Sequence, residues 1–265
     1  MNSSSLTRLS QHHLNLLETC PRKFQHILLD QLSSPISPDY QDRTDWGSRF
    51  HLLMQQRELG LPIESLLEED EQMAHSIQAL IQAAPEILEF PSSSWRQAEH
   101  YRTVTVSGYI LSVAYDLLIA EPNQARIFDW KTYLLPENKT KVAQSWQTRL
   151  YLYVLAETSS YLPQDISMTY WFVKLPTQPQ SLSFSYDRAK HQKTRQNLVS
   201  LLDSLDQWLE DYQEKRKPFP QVPKGKGVCR FCTFASRCHR TGDTEEETIN
   251  SELLTSVESI EEIAI

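Results

Sequence analysis

No stretch of this sequence reaches the roughly 18 consecutive apolar residues that a membrane-crossing helix needs, so no membrane partner is expected. Its opening, MNSSSLTRLSQHHLNLL, lacks the apolar middle of an export signal, which makes the cytoplasm the expected compartment. Disulfides are rare there, and cysteines serve more often as ligands or catalysts. No internal repeat is visible, and no G-x-x-x-x-G-K-[ST] phosphate loop occurs. From Thr241 to Ile265 there is no Lys, Arg or aromatic residue but eight acids. Such a composition cannot bury enough apolar surface to order itself, and a disordered acidic tail is expected.

What is present is an ordinary globular body. With 40% hydrophobic and 23% charged residues over 265 positions, the chain can build one core, and residues 1–240 are expected to form a single domain. The net charge of −8 would argue against a polyanionic partner, but the tail holds the excess: 34 acids less its eight leaves 26 against 26 bases. Residues 211–240 hold eight bases and two acids, a local basic patch able to meet phosphate.

Ser10 is placed to cap a helix through LSQHHLNLLETCPRKFQHILLDQL, which Pro21 interrupts just after Cys20. Residues 33–42 read as loop, DWGSRFHLLMQQRELG as helix, and 61–94 as a polar, mainly helical insertion at the periphery. Three strands follow, in EHYRTVTVSG, YILSVAYDLLIAE and QARIFDWKTY, separated by Ser-Gly and Glu-Pro-Asn turns. They suggest an antiparallel meander. A helix in KVAQSWQTRLYLYVLAET, strands in ISMTYWFVKL and QSLSFSY, and a long amphipathic helix near 187–214 complete the pattern. Helices on both sides of one central mixed sheet make an α/β fold.

The chemistry concentrates in RIFDWKTY, residues 126–133. Side chains alternate along a strand, so Asp129 and Lys131 share one face while Phe128 and Trp130 share the other. Taken alone, such a pair is more often a surface ion pair than half of a hydrolytic site. Asp116, however, interrupts the apolar run SVAYDLLI one strand earlier, where a hairpin would bring it near Asp129. Two carboxylates that close repel unless a divalent cation compensates them, and Mg²⁺ suits one or two carboxylates with several waters.

Asp116 followed by the strand bearing Asp129-Trp130-Lys131 resembles the PD-(D/E)XK nuclease superfamily. Further motifs resemble its RecB-like branch, which includes the nuclease domains of RecB and AddB and the CRISPR-adaptation exonucleases. Gly47 and His51 of GSRFH fit a helical G-x-x-x-H, Glu99 opens the first strand, and Gln147 with Tyr151 fit a helical Q-x-x-x-Y. The resemblance spans about Leu9 to His239 and implies a restriction-endonuclease-like core. It implies that His51, Asp116, Asp129 and the Trp130 carbonyl bind Mg²⁺ or Mn²⁺. Lys131 would be the water-positioning base, with Gln147 and Tyr151 lining the site. Val113 and Leu117 stand where the family often has Gly and Arg, which weakens any expectation of DNA contacts there. By themselves, His51 would be a packed or exposed histidine, Glu99 a solvated strand opener, and Gln147 and Tyr151 plain helix residues.

All four cysteines fall into one pattern, Cys20 far upstream and then Cys229, Cys232 and Cys238 as C-x2-C-x5-C. Four thiolates so spaced suit either a Zn²⁺ site or a [4Fe–4S] cluster. The resemblance implies the cluster, since AddB-type and CRISPR-adaptation nucleases place one cysteine before the nuclease core and three after it. That cluster would join the N- and C-terminal segments.

The expected function is a metal-dependent deoxyribonuclease, an exonuclease working on strand ends or single-stranded DNA in repair or recombination. Any helicase activity would come from a partner chain. Two rivals remain at this level: a non-catalytic DNA-end-binding or scaffold subunit of a helicase–nuclease or CRISPR-adaptation complex, and a zinc-stabilised interaction module.

Overall fold

The computed structural model describes residues 8–33, 38–68, 70–87, 94–133, 138–174 and 178–240; the acidic tail lies outside them. The described residues begin with a short strand β1 (Arg8–Leu9), helices α1 (Gln11–Thr19) and α2 (Pro21–Phe24), and a π-helical turn at Gln25–Leu29. Then come α3 (Pro38–Glu58), α4 (Glu64–Leu67) and α5 (Glu71–Ala83). Strands β2 (Trp95–Val106), β3 (Tyr109–Ala120) and β4 (Ala125–Lys131) form the expected antiparallel meander. Helices α6 (Lys139–Gln144) and α7 (Trp146–Glu157) carry the chain to β5 (Ile166–Phe172), which pairs parallel to β4. β6 (Gln180–Ser185) and the long α8 (Arg188–Lys215) follow.

The sheet is mixed, with order β1-β3-β4-β5-β6 and β2 along the other edge of β3. β3 is shared on its inner edge. Its start pairs with β1 at Ile110 and Leu111, and its end pairs with β4 from Leu117 to Ala120.

Two apolar clusters flank the sheet. Side chains of α1, α7 and α8 meet Ala125 and Ile127 of β4 and Met168 and Tyr170 of β5. Side chains of α3 and α5 meet Phe128, Trp130, Trp171 and Val173. The alternation along β4 and β5 sorts residues between the two layers. Sequence-local signals set the helix limits. Asp70, Asn138 and Asp187 accept bonds from the first-turn N–H groups of α5, α6 and α8. Gly60, at φ +71°, ends α3, with Leu61 N–H reaching back to the Gln56 carbonyl.

Two local expectations change. Helix begins at Pro38, inside the segment read as loop, because proline's fixed φ and missing N–H are tolerated in a first turn. The helical part of 61–94 is no periphery: Met73, Ile77 and Leu80 of α5 share one stripe and are buried against the sheet.

The two ends of the described chain are tied together. Arg22 Nε donates to the Phe219 carbonyl at 2.7 Å, and Phe219 N–H donates to Gln25 Oε1 at 2.8 Å. Tyr212 of α8 donates its hydroxyl to Asp30 Oδ1 at 2.9 Å, and His26 Nδ1 lies 2.8 Å from Asp30 Oδ2. Burial pushes the Asp30 carboxyl upward, but the bonds from His26, Tyr212 and Gln25 outweigh it and hold the group below its usual 3.8. A carboxylate with a lowered folded-state pKa stabilises the fold fully above its unfolded value and loses that contribution as pH falls through the lowered one. Melting temperatures of wild type and Asp30→Asn should therefore differ at pH 6, with the gap narrowing as pH falls below about 4 and closing only below the lowered folded-state pKa. A gap that persists unchanged into acid would show that the carboxylate charge is not what ties these segments.

Candidate active site and cysteine pocket

Asp129 and Lys131 share the parity of Ile127 and so face α7, as the alternation requires. They are not on the surface: Asp129 is 1% exposed and Lys131 3%. Lys131 Nζ lies 2.8 Å from Asp129 Oδ1, and Gln147 Nε2 donates to Asp129 Oδ2 at 2.8 Å. Ser145 starts α7 by accepting the Thr148 N–H, which sets Gln147 in the first turn, over β4. Lys131 Nζ also stands 5.3 Å from the Tyr170 ring centre. Burial and the Asp129 carboxylate push the Tyr170 phenol far above its usual range, so it stays protonated, bonded to the Thr148 hydroxyl at 2.8 Å.

Beside this pair, β3 and β4 part company. Their ladder stops at Leu117–Phe128, and the Asp116 carboxylate fills the gap. Its Oδ2 accepts the Trp130 N–H at 2.6 Å, and its Oδ1 lies 3.2 Å from His51 Nδ1. A strand residue's N–H and C=O point to the same edge, so the Trp130 carbonyl lies on this side too. The break coincides with a change of face: Leu111, Val113 and Tyr115 join the α7 layer, whereas Leu117 and Ile119 join the α3 layer.

Glu99 of β2 sits opposite Asp116, between the pairs Ala98–Leu117 and His100–Tyr115. It adopts φ +47°, a left-handed conformation that L-residues other than Asn and Asp rarely take. Among the described residues, His51, Glu99 and Asp116 form a group whose donor atoms all lie within 4.8 Å of one another. Two carboxylates and one imidazole in that space form a donor set for a divalent cation, the oxygens suiting Mg²⁺ or Mn²⁺. Glu99 thus stands with His51 and Asp116, while Asp129 is engaged by Lys131 and Gln147. Tyr151, 3% exposed, sets its ring edge-on to Tyr115 at 5.4 Å and so buttresses the strand just before Asp116.

Gly47 earns its place by close approach. A Cβ there would stand 2.9 Å from Thr132 Oγ1, so the missing side chain lets α3 lie against the end of β4. His51 is one turn further on. The sequence spacing G-x-x-x-H carries this geometry, but Thr132 as its counterpart has no local signal.

The four cysteines, separated by up to 218 positions (20 to 238), line one pocket with Lys23, His26, Gln221, Val222, Phe234, Ala235 and Arg240. Burial raises the Cys238 thiol; Arg22 opposes this, and the neighbouring Cys20, Cys232 and Cys229 add to it. Basic Lys23, Arg240 and Arg22 around four sulfurs suit an anionic occupant. Sulfurs on one tetrahedral Zn²⁺ sit about 3.8 Å apart. Among the described residues, the cysteine sulfurs are not drawn into a group within 4.8 Å, as the His51–Glu99–Asp116 donors are.

No described helix is long and apolar enough to cross a membrane. A protein of Eubacterium rectale, provisionally designated an exonuclease, aligns over 96% of this chain and 95% of its own with a TM-score of 0.54 and 13% identity. An alkaline exonuclease from Laribacter hongkongensis aligns over 81% of this chain and 95% of its own, at TM-score 0.36 and 11% identity. At such identities the first likeness speaks for the fold alone. No curated protein matches the chain. The sequence model of the PD-(D/E)XK nuclease superfamily matches residues 8–239, and the chain belongs to that superfamily.

Proposed function

We propose that this protein is a metal-dependent deoxyribonuclease of the RecB-like branch, an exonuclease acting on DNA strand ends in repair or recombination. The observation that carries the reading is the buried Asp129–Lys131 pair directly beside the His51, Glu99 and Asp116 donors. A lysine buried on a carboxylate is costly, and a site that needs a fixed ammonium beside a cation gives it a purpose.

His51, Glu99 and Asp116 would hold Mg²⁺ or Mn²⁺, with the Trp130 carbonyl and Asp129 at the margin of the same space. The cation supplies Lewis acidity toward a phosphoryl oxygen and makes water more acidic. The chain's own part is positional. Asp129, fixed by Gln147, keeps the Lys131 amine aimed, ready to orient a nucleophilic water or to meet charge developing on phosphate. The basic 211–240 segment supplies sequence-independent attraction for the DNA backbone.

The four-cysteine pocket is assigned to a [4Fe–4S] cluster. Support comes from the common pocket, its basic rim and the C-x2-C-x5-C grouping with one distant cysteine. The cluster would clamp the segment around Cys20 to the one around Cys229–Cys238, closing a loop across almost the whole domain.

Asp116→Asn and Glu99→Gln keep side-chain shape while removing one ligand charge each. On end-labelled DNA in Mg²⁺, both should cleave at least about 100-fold more slowly than wild type, with part of the loss recovered in excess Mn²⁺. Undiminished cleavage by either variant would remove that residue from the metal site. For the cluster, anaerobically purified protein should be brown, absorb broadly near about 400 nm and carry about four irons per chain. Cys20→Ala should lose colour and melting temperature together; colourless wild type with one zinc per chain would replace the cluster by zinc.

A further inference from the structure

His26 is a buried polar group that neither site reading uses. It is 5% exposed, lines the cysteine pocket, and lies in the π-helical turn at Gln25–Leu29. Such turns are rare and occur frequently at functional sites. Its Nδ1 lies 2.8 Å from Asp30 Oδ2. A carboxylate only accepts, so Nδ1 carries the proton in this contact, which leaves Nε2 as the ring atom that faces the cysteine pocket and could ligate. Asp30 is itself fixed by Tyr212, at 2.9 Å, and Gln25, at 3.2 Å. The Phe234 ring, centred 5.2 Å away, flanks the imidazole.

His26 Nε2 lies 3.7 Å from Cys238 Sγ. A nitrogen at about 2.05 Å and a sulfur at about 2.3 Å from one tetrahedral metal atom sit about 3.5 Å apart. The observed separation, which is also that of a hydrogen bond between thiol and imidazole, is close to this value, and a ligating histidine ordinarily donates its other N–H to a carboxylate. We propose that His26 is a fifth ligand position of the four-cysteine pocket, its Nε2 able to take the metal atom that Cys238 serves. This rests on the reading of the pocket as a metal site, whether iron or zinc fills it. Its consequence is an asymmetry: the pocket tolerates loss of Cys238 but not of Cys229.

The test compares wild type, Cys238→Ala, Cys229→Ala, His26→Ala and Cys238→Ala/His26→Ala, each purified anaerobically. Iron and zinc per chain, metal K-edge X-ray absorption and far-ultraviolet circular dichroism are the readouts. Cys238→Ala should keep at least about half of the wild-type metal and show one nitrogen neighbour in place of a sulfur, whereas the double variant and Cys229→Ala should keep less than about a tenth. Equal metal in Cys238→Ala with and without His26, or loss in Cys238→Ala as complete as in Cys229→Ala, overturns the inference. Should Cys238→Ala not fold, Cys238→Val takes its place: metal kept by Cys238→Val with a nitrogen neighbour and lost from Cys238→Val/His26→Ala supports the role, and equal metal in the two overturns it. Wild type carrying no metal would overturn the pocket reading and this inference with it; metal-bearing wild type indifferent to His26 overturns this inference alone.

Discussion

The arrangement depends most on a buried ion pair. Removing Asp129 and Lys131 from water costs several kcal/mol per ion, and their attraction repays this only if the remaining polar atoms are satisfied. The surroundings meet that demand. Gln147 bonds the second Asp129 oxygen, the Tyr170 ring lies near the ammonium, and Thr148 holds the Tyr170 hydroxyl. Gln147 and Thr148 come from the first turn of α7, whose start Ser145 sets. The helix cap and the strand parity are therefore two halves of one device. Apolar pairs of similar volume are often neutral or stabilising in such positions, and on the proposed reading the ions are kept for chemistry rather than stability.

The second constraint is the parting of β3 from β4. A regular ladder would occupy the edge on which Asp116, the Trp130 backbone and His51 meet. Breaking it changes which face the β3 side chains present, and Glu99 across the way takes up a left-handed conformation that costs on the order of 1–3 kcal/mol. The strain sits where the donor atoms of His51, Glu99 and Asp116 come together. Tyr151 and Tyr115 pack behind the break, so the strand is held in shape from the α7 side.

Much of this was legible in the residues. Strand alternation placed Asp129 and Lys131 on one face, and helical spacing placed Gln147 and Tyr151 on one side of α7. The cysteine pattern marked one pocket. What periodicity could not carry is non-local. Nothing near Glu99 signals φ +47°, because that conformation answers to the partner strand rather than to neighbouring residues. Burial of the Asp129–Lys131 pair depends on α7 covering it. His26 reads as an ordinary helix residue until the π turn, Asp30 and Tyr212, 182 residues further on, are brought together. The α5 region read as polar and peripheral, because its many polar residues masked the Met73, Ile77 and Leu80 stripe that the sheet buries.

The central claim, that the buried pair is kept for chemistry, is tested most directly by replacing both ions with neutral groups of similar size. Lys131→Met alone leaves the Asp129 carboxylate uncompensated and should destabilise the fold by about 3–5 kcal/mol. The double variant Asp129→Asn/Lys131→Met removes both charges. Denaturant unfolding and cleavage of end-labelled DNA would be measured on the same preparations. The account predicts that the double variant regains most of the lost stability yet cleaves at least about 100-fold more slowly than wild type. A double variant that cleaves DNA at the wild-type rate would contradict it.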